Sequence, residues 1–486
     1  MSAWRRTSRA LLAALAAATL AWVPAQAAQG TGTADAQGRE AVRGPEAESV
    51  RGPRTAAGRA DVRADVPTVR ALPGTVPGDP KAPAVEDTYP WMSTVTDLAS
   101  AGYVEEEFEI AGEADAYGAT GELLAEDVPY RTRMIVRRPA DPRDFNGTVL
   151  TEWQNVTAGY DLDALWSPDQ ILREGYAWVG VSAQRVGVDQ LRGWSPARYG
   201  SLDVTGGGRF TADQLSYDVF AQAARTLKSR QGGAAPLGKL RARTVLGVGA
   251  SQSAMRMTVY YDHVLPRTAP VFDAYAFVVG NAPARKGAEP VLQVLSETDV
   301  RTPARRADDD RFRRWEVAGT AHSGWNGQEY RRPVLTRDLG AAPEYRCARP
   351  PFSRVPLHHV IAAAYGHLTR WAERGVLPPS APPLQFAADG TKARDELGLA
   401  RGGIRLSQVE APTALDTGDN AGETFCFLFG SHEPFTEEKL DELHPTHGGY
   451  VAQVARTDAR NVLAGYLLPG DARDNLRQAA RSEVGR

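Results

Sequence analysis

A serine stands where an apolar strand pattern changes into a helical pattern. The stretch "TVLGVGASQSAMRMTVYYDHV" covers residues 244–264 and has Ser251 at this junction. Gly249 lies two positions before it, and Ser253 lies two positions after it. A sharp strand-to-helix turn needs small residues there, because larger side chains would collide. The pattern predicts that Ser251 is a nucleophile, although serine replaces the last glycine of G-x-S-x-G. The alternative is a serine that only caps the helix.

Acidic residues and a histidine follow two later strands. The apolar run "PVLQVL" is followed by Glu297 and Asp299, and the run "RRWEVAG" is followed by His322. A serine, acid and histidine in this chain order form a catalytic triad in one class of α/β enzyme. We predict that His322 is the base and that Asp299 orients it, with Glu297 as the alternative acid. His432, in "FGSHEPF", is a rival base.

Oxyanion donors are expected at two places. The backbone N–H of Gln252 follows the serine directly, and a second donor is expected from the loop after the third main strand. That loop is "EWQNVTAGYD", and we place the donor at Asn155 or Val156. Trp325 comes three residues after the predicted base and is the aromatic residue expected to touch substrate.

Metal or cofactor chemistry is not expected. His444 and His447 have a spacing that could ligate a metal, but no motif supplies a third ligand. The segment 416–423 has oxygen-bearing side chains without the spacing of a calcium-binding loop. We therefore predict that neither a cofactor nor a metal is bound.

The elements that must position these residues alternate between strand and helix. Such alternation predicts a mostly parallel sheet with helices on both faces. The stretches "YVEEEFEIAG" and "PYRTRMIVRRP" alternate polar and apolar residues, and we expect them to form an antiparallel edge. The stretch "TADQLSYDVFAQAARTLKS" predicts a helix with Thr211 as its N-cap. In a parallel sheet, ligands bind at the carboxyl ends of the strands, where all three triad candidates are expected.

Four regions are predicted along the chain. Residues 1–27 have arginines, an apolar run and a small-x-small site, which is typical of a cleaved signal peptide. Residues 28–88 are rich in Ala, Gly, Pro and Arg and predict a disordered spacer. The core domain is expected over residues 89–375, and residues 376–486 are expected to be an extension packed on it.

Export and composition limit the possible partners. The only two cysteines, Cys347 and Cys426, are expected to form a disulfide in an oxidising compartment. The formal net charge of -3 gives no basic surface for nucleic acid. No segment after the signal peptide is apolar enough to span a membrane. A secreted protein with an ester substrate, either a small molecule or a polymer, is therefore expected.

Six stretches carry a resemblance to a known family. They are "VRRPADPRDFNGTVLTEWQNVTAGYD", "GYAWVGVSAQRVGV", "GVGASQSAMR", "VLQVLSETDV", "WEVAGTAHSGW" and "PPFSRVPLHHV". With them the chain resembles the alpha/beta-hydrolase superfamily, and within it the secreted bacterial alpha/beta hydrolase domain proteins, over roughly residues 90–470. The resemblance implies a serine-hydrolase fold with Ser251 as nucleophile and His322 as base. It implies no particular substrate.

The sequence therefore predicts an exported serine hydrolase that cleaves a carboxylic ester through an acyl-enzyme on Ser251. A non-catalytic hydrolase-fold module that binds a polymer or cell-wall partner is the alternative from another class. A peptidase or polyester depolymerase is a third interpretation.

Overall fold

The computed structural model describes residues 66–74, 77–229 and 233–486. The predicted signal peptide and most of the predicted spacer lie outside the described residues. Within the described residues, no helix is both long and apolar enough to cross a membrane. Residues 68–72, which the sequence places in the spacer, form a strand of the sheet.

Nine strands of the described chain form one sheet. They are β1 (Thr68–Leu72), β2 (Tyr103–Tyr117), β3 (Leu123–Pro139), β4 (Thr148–Trp153), β5 (Ala177–Val181), β6 (Thr244–Ala250), β7 (Ala274–Val278), β8 (Val291–Ser296) and β9 (Phe312–Val317). Their order is β1-β2-β3-β5-β4-β6-β7-β8-β9. The pairs β1–β2, β2–β3 and β3–β5 are antiparallel. All pairs from β5–β4 to β8–β9 are parallel. The predicted fold class is confirmed, with β1 rather than β2 at the antiparallel edge.

Eleven α-helices accompany the sheet in the described residues. They are α1 (Pro168–Glu174), α2 (Arg185–Trp194), α3 (Pro196–Tyr199), α4 (Ser216–Lys228), α5 (Gln252–Val259), α6 (Trp325–Leu339), α7 (Leu357–Arg374), α8 (Ser407–Glu410), α9 (Glu437–Leu443), α10 (His447–Ala464) and α11 (Pro469–Arg481). Thr211 does not cap α4, which begins at Ser216. The turn before it is held by Asp213, which has a positive φ of 61° and accepts the Arg185 backbone N–H at 2.8 Å.

Helices cover both faces of the sheet. Side chains alternate between the faces of a strand, and in β6 Val245 and Leu246 belong to different hydrophobic clusters. Phe220 of α4 and Met257 of α5 pack in the cluster of Val245, whereas Leu368 of α7 packs in that of Leu246. Every residue of β4, β6, β7 and β8 is buried, as expected for parallel strands covered on two sides.

Residues 376–486 share this core. Leu384 and Ile404 belong to the cluster that contains α7, and the Ile404 backbone N–H donates to Glu316 O of β9 at 2.7 Å. A second sheet pairs β10 (Ala414–Thr417) with β11 (Ser431–Pro434). The predicted Cys347–Cys426 disulfide is present. It joins residues 79 positions apart, and closing a loop of that length stabilises the folded state by roughly 4 kcal/mol.

Candidate active site

Ser251 lies on a strained turn between β6 and α5. Its φ is 58° and its ψ is −117°, a conformation that costs a residue with a side chain on the order of 1–3 kcal/mol. The Ser251 backbone N–H donates to Val278 O of β7 at 3.0 Å, which fixes the turn against the neighbouring strand. The side chain is partly exposed. Strain that the surrounding structure maintains at one exposed hydroxyl is typical of a functional site.

The flanking residues are small because the turn leaves them no room. A Cβ added at Gly249 would lie 2.9 Å from Met257 Sδ and 3.2 Å from Ala254 N. Ser253 is fully buried, and its hydroxyl donates to Ala250 O at 2.9 Å and accepts from Ala250 N at 3.0 Å. The serine in place of the last glycine therefore ties the first helical turn back to the end of the strand.

His322 and Asp299 form a close pair at the same edge of the sheet. Asp299 ends a 3₁₀ turn directly after β8, and His322 follows β9. His322 Nδ1 lies 2.7 Å from Asp299 Oδ1, and Asp299 Oδ2 accepts from Ser296 Oγ at 2.5 Å. The His322 backbone N–H also donates to Thr298 Oγ1 at 3.2 Å. The carboxylate thus orients the ring and leaves Nε2 as the atom available for proton transfer.

Ser251 and His322 line one cavity. In the described part of the chain no hydrogen bond joins the serine hydroxyl to the imidazole. Hydrogen bonds of this kind are often long before substrate binds and tighten in the complex.

Glu297, the alternative acid, is bound elsewhere. It is fully buried, and its carboxylate accepts from Gly319 N at 2.7 Å and from Gly418 N at 3.1 Å. Arg394 Nη1 lies 2.8 Å from Glu297 Oε1. These contacts connect the β8 turn, the loop after β9 and the C-terminal region. Glu297 has the environment of a structural carboxylate, whereas Asp299 contacts the histidine.

The three candidate oxyanion residues lie together beside the serine. Asn155 Nδ2 donates to Ala250 O at 2.9 Å, which attaches the loop after β4 to the turn. The Val156 backbone N–H lies 3.5 Å from Gln252 Oε1. Gln184 was not predicted from the sequence, yet its Nε2 donates to Gln252 Oε1 at 3.1 Å. No sequence motif marks Gln184, because its contact depends on β5 ending beside β4.

The cavity has a volume of about 310 Å³, and most of its wall is apolar. Side chains from the loop after β4, from β7 and from α1 and α7 form much of this wall, among them Leu165, Trp166, Ile171, Val278, Ile361 and Tyr365. Trp325 also lines it, with the Arg354 guanidinium 4.7 Å from its ring centroid. Sequence reasoning missed the contribution of Phe425, Leu428 and Phe429, which reach the cavity from beside the disulfide.

The rival base His432 and the possible metal ligands His444 and His447 lie apart from this arrangement, whereas His358 of α7 lines the cavity. His432 Nδ1 lies 3.0 Å from Asp416 Oδ1, and the residue does not line the cavity. His444 and His447 each bind a backbone carbonyl oxygen, at 2.9 Å. In the segment 416–423, Asp419 pairs with lysine and arginine side chains. Over residues 66–74, 77–229 and 233–486, no group of three or more possible ligands could hold a metal ion.

Glu152 supports the loop that carries Asn155 and Val156. It is fully buried at the end of β4, and its carboxyl accepts from Leu165 N at 3.1 Å and from Trp178 Nε1 at 2.9 Å. Burial, with a smaller contribution from the nearby Asp163 carboxylate, raises the pKa of Glu152 from 4.5 to about 8.

This raised pKa predicts a pH-dependent stability. Between pH 4.5 and about 8 the folded state holds a proton on Glu152 that the unfolded chain releases. The free energy of unfolding therefore falls as the pH rises through this window. We expect Glu152→Gln to show a smaller fall than wild type in urea unfolding at pH 5, 6, 7 and 8. Glu126→Gln, at an exposed position, should match wild type, and an equal fall in all three proteins would contradict the prediction.

The sequence of the chain matches one known protein family. The family described as "Alpha/beta hydrolase domain" matches residues 75–477. No curated protein matches the chain.

Three solved structures show partial likeness. The chain is similar to esterase Est22 at 8% identity, with a TM-score of 0.26 over 41% of this chain and 66% of that chain. It is similar to prolyl endopeptidase at 12% identity, with a TM-score of 0.27 over 50% of this chain and 39% of that one. It is similar to Candida antarctica lipase A in its closed state at 14% identity, with a TM-score of 0.25 over 45% of this chain and 42% of that chain. The match thus spans just under two thirds of the esterase and less than half of the other two.

Proposed function

The chain belongs to the alpha/beta hydrolase domain family, and we propose that it is an exported serine hydrolase that cleaves carboxylic esters through an acyl-enzyme on Ser251. The observation that carries the proposal is His322, which lines the same cavity as the strained serine and lies 2.7 Å from Asp299. Such a pair and such a serine, at the carboxyl ends of three parallel strands, are the components that acyl transfer requires.

The reaction proceeds in two half-reactions. Ser251 Oγ attacks the ester carbonyl carbon while His322 Nε2 takes the hydroxyl proton, and Asp299 stabilises the imidazolium. The tetrahedral intermediate then collapses, and His322 returns the proton to the leaving alcohol. Water attacks the acyl-enzyme with His322 again as base, which releases the acid and restores the serine.

The oxyanion is bound by backbone donors beside the serine. The Gln252 N–H at the start of α5 is one donor, and its position at a helix N-terminus favours negative charge. The Val156 N–H is the second, and the oxyanion would replace its 3.5 Å contact with Gln252 Oε1. A single donor of this kind typically contributes about 3 kcal/mol to the stability of the transition state.

The apolar wall and the disulfide support the remaining parts of the proposal. A cavity lined mainly by hydrocarbon side chains favours an apolar acyl or alcohol group. The Cys347–Cys426 disulfide is of the kind that persists in oxidising compartments, in agreement with export through the N-terminal residues 1–27.

A fluorophosphonate probe tests the proposal directly, because it reacts with an activated serine. We expect wild type to be labelled at Ser251 and Ser251→Ala to remain unlabelled. Ser323→Ala is the matched control, since Ser323 lines the same cavity and should leave the label in place. Absence of labelling in folded wild type would contradict the proposal and favour a binding module. Parallel assays of an ester, an anilide and a polyester film separate the esterase from the peptidase and the depolymerase.

A further inference from the structure

Ser251 faces two different spaces. On one side is the apolar cavity, and on the other is an open groove of about 940 Å³ that runs over α5 and the loops after β7 and β8. Ser251 and Val279 line both, so they form the boundary between them. A substrate bonded to the serine can therefore extend in two directions at once.

The groove differs from the cavity in charge. Four arginines line it, Arg301, Arg305, Arg306 and Arg314, and we call it the arginine groove. Its acidic lining residues, Asp262 and Asp299, are already bound. Asp262 accepts two backbone N–H groups at 2.9 Å, and Asp299 contacts the histidine of the candidate triad.

Three of the four arginines are compensated. Arg306 lies 3.2 Å from Asp309. Arg314 lies 2.7 Å from Glu316, and Arg305 lies 3.6 Å from the same carboxylate. Burial, together with the neighbouring Arg305 guanidinium, lowers the pKa of Arg314 below its ordinary value despite the contact with Glu316. Arg305 also lies 3.9 Å from Asp308, so Arg305 and Arg314 have two carboxylates between them.

Arg301 is the uncompensated cation. It is exposed, it follows Asp299 by two positions, and among the described residues it makes no ion pair or hydrogen bond. An arginine with no partner of its own can donate two parallel hydrogen bonds to a carboxylate or phosphate through its planar guanidinium. Arg305, Arg306 and Arg314 are occupied by their own ion pairs and do not compete for that ligand.

We infer that the arginine groove binds an anionic group of the substrate, so that the natural substrate is an ester with an apolar group on one side of the scissile carbonyl and an anionic group on the other. The apolar group occupies the cavity, and the anionic group contacts Arg301. Because this inference rests on the proposed function, its test must separate a failure of anion binding from a failure of catalysis.

Two matched ester pairs provide that test. On the acyl side, p-nitrophenyl hexanoate is compared with mono-p-nitrophenyl adipate, which carries a terminal carboxylate. On the alcohol side, phenyl hexanoate is compared with p-carboxyphenyl hexanoate. In one of the two pairs we expect wild type to have a higher kcat/KM for the charged ester. Arg301→Gln should lower the charged-to-neutral ratio by roughly two- to fivefold, the range expected for one exposed charge pair. The ratio should also fall with added salt, because salt screens exposed charges.

Arg311→Gln is the control, since Arg311 is exposed and lines neither space. It removes the same charge and should keep the wild-type ratio. Wild type that is labelled by fluorophosphonate but shows no preference for either charged ester overturns the inference alone. A preference that Arg301→Gln and Arg311→Gln lower equally also overturns it. Wild type that hydrolyses no ester and takes no label overturns the proposed function, and the inference with it.

Discussion

Ser251→Ala should lower kcat/KM for ester hydrolysis by about 10⁵ to 10⁶ while the protein stays folded. Loss of a serine nucleophile removes the covalent route entirely, and changes of this size are typical of hydrolases that use a triad. Oxyanion donors and the cavity remain, so a small residual rate above that of water is expected. The measurement is p-nitrophenyl ester hydrolysis with the variant purified separately, so that traces of wild type do not set the residual rate.

The strain at this position gives the same experiment a second readout. Serine and alanine both carry a Cβ, so Ser251→Ala keeps the unfavourable φ of 58°. Glycine adopts this conformation freely, so Ser251→Gly should be more stable than Ser251→Ala by about 1 kcal/mol in urea unfolding. A variant that is inactive because it is misfolded would instead lose stability. Retention of more than about one hundredth of the wild-type rate would exclude Ser251 as the nucleophile.

The strands around the site could be predicted because burial alone specifies them. Each residue of β4, β6 and β8 is buried, and their sequences are short and rich in apolar residues, as is typical of buried parallel strands. The strand β1 has only two buried residues of five, and its partner β2 lies far along the chain. Its pairing therefore could not be read from local pattern. Helix α6 was missed for a related reason, since it contains Pro333 and few buried residues.

In the candidate site, too, some features could be predicted from the sequence and others could not. The positions of Asp299 and His322 follow from sheet topology, because parallel strands bring their carboxyl ends to one edge. Sheet topology does not decide between Asp299 and Glu297, since both lie within three residues of the end of β8. The choice depends on Arg394 and Gly418, which approach from the C-terminal region. The cavity wall near the disulfide could not be predicted from the sequence either, because segments far apart in the chain must pack together to form it.

These different environments predict opposite effects for two substitutions. Asp299→Asn should lower kcat by about 10⁴, because an amide at this position stabilises the wrong tautomer of His322. Its stability should change little, since the carboxylate is partly exposed and bound by only a few groups. Glu297→Gln should instead destabilise the fold by about 2 kcal/mol, because a neutral amide replaces the buried carboxylate that accepts from Gly319 N and Gly418 N, while Arg394 keeps its contact with Asp419.

The comparison succeeds only if activity and stability are measured on both variants. Glu297 accepts from Gly319 N, three residues before His322, so Glu297→Gln can also shift the histidine loop and lower the rate. That indirect loss should be far below 10⁴, because the His322–Asp299 contact itself remains. Asp299→Asn, in contrast, should lose about 10⁴ in kcat while its free energy of unfolding stays close to that of wild type. If Glu297→Gln lost 10⁴ in kcat at unchanged stability and Asp299→Asn stayed active, Glu297 would be the acid that orients the base. The 2.7 Å contact of Asp299 would then have only a structural role.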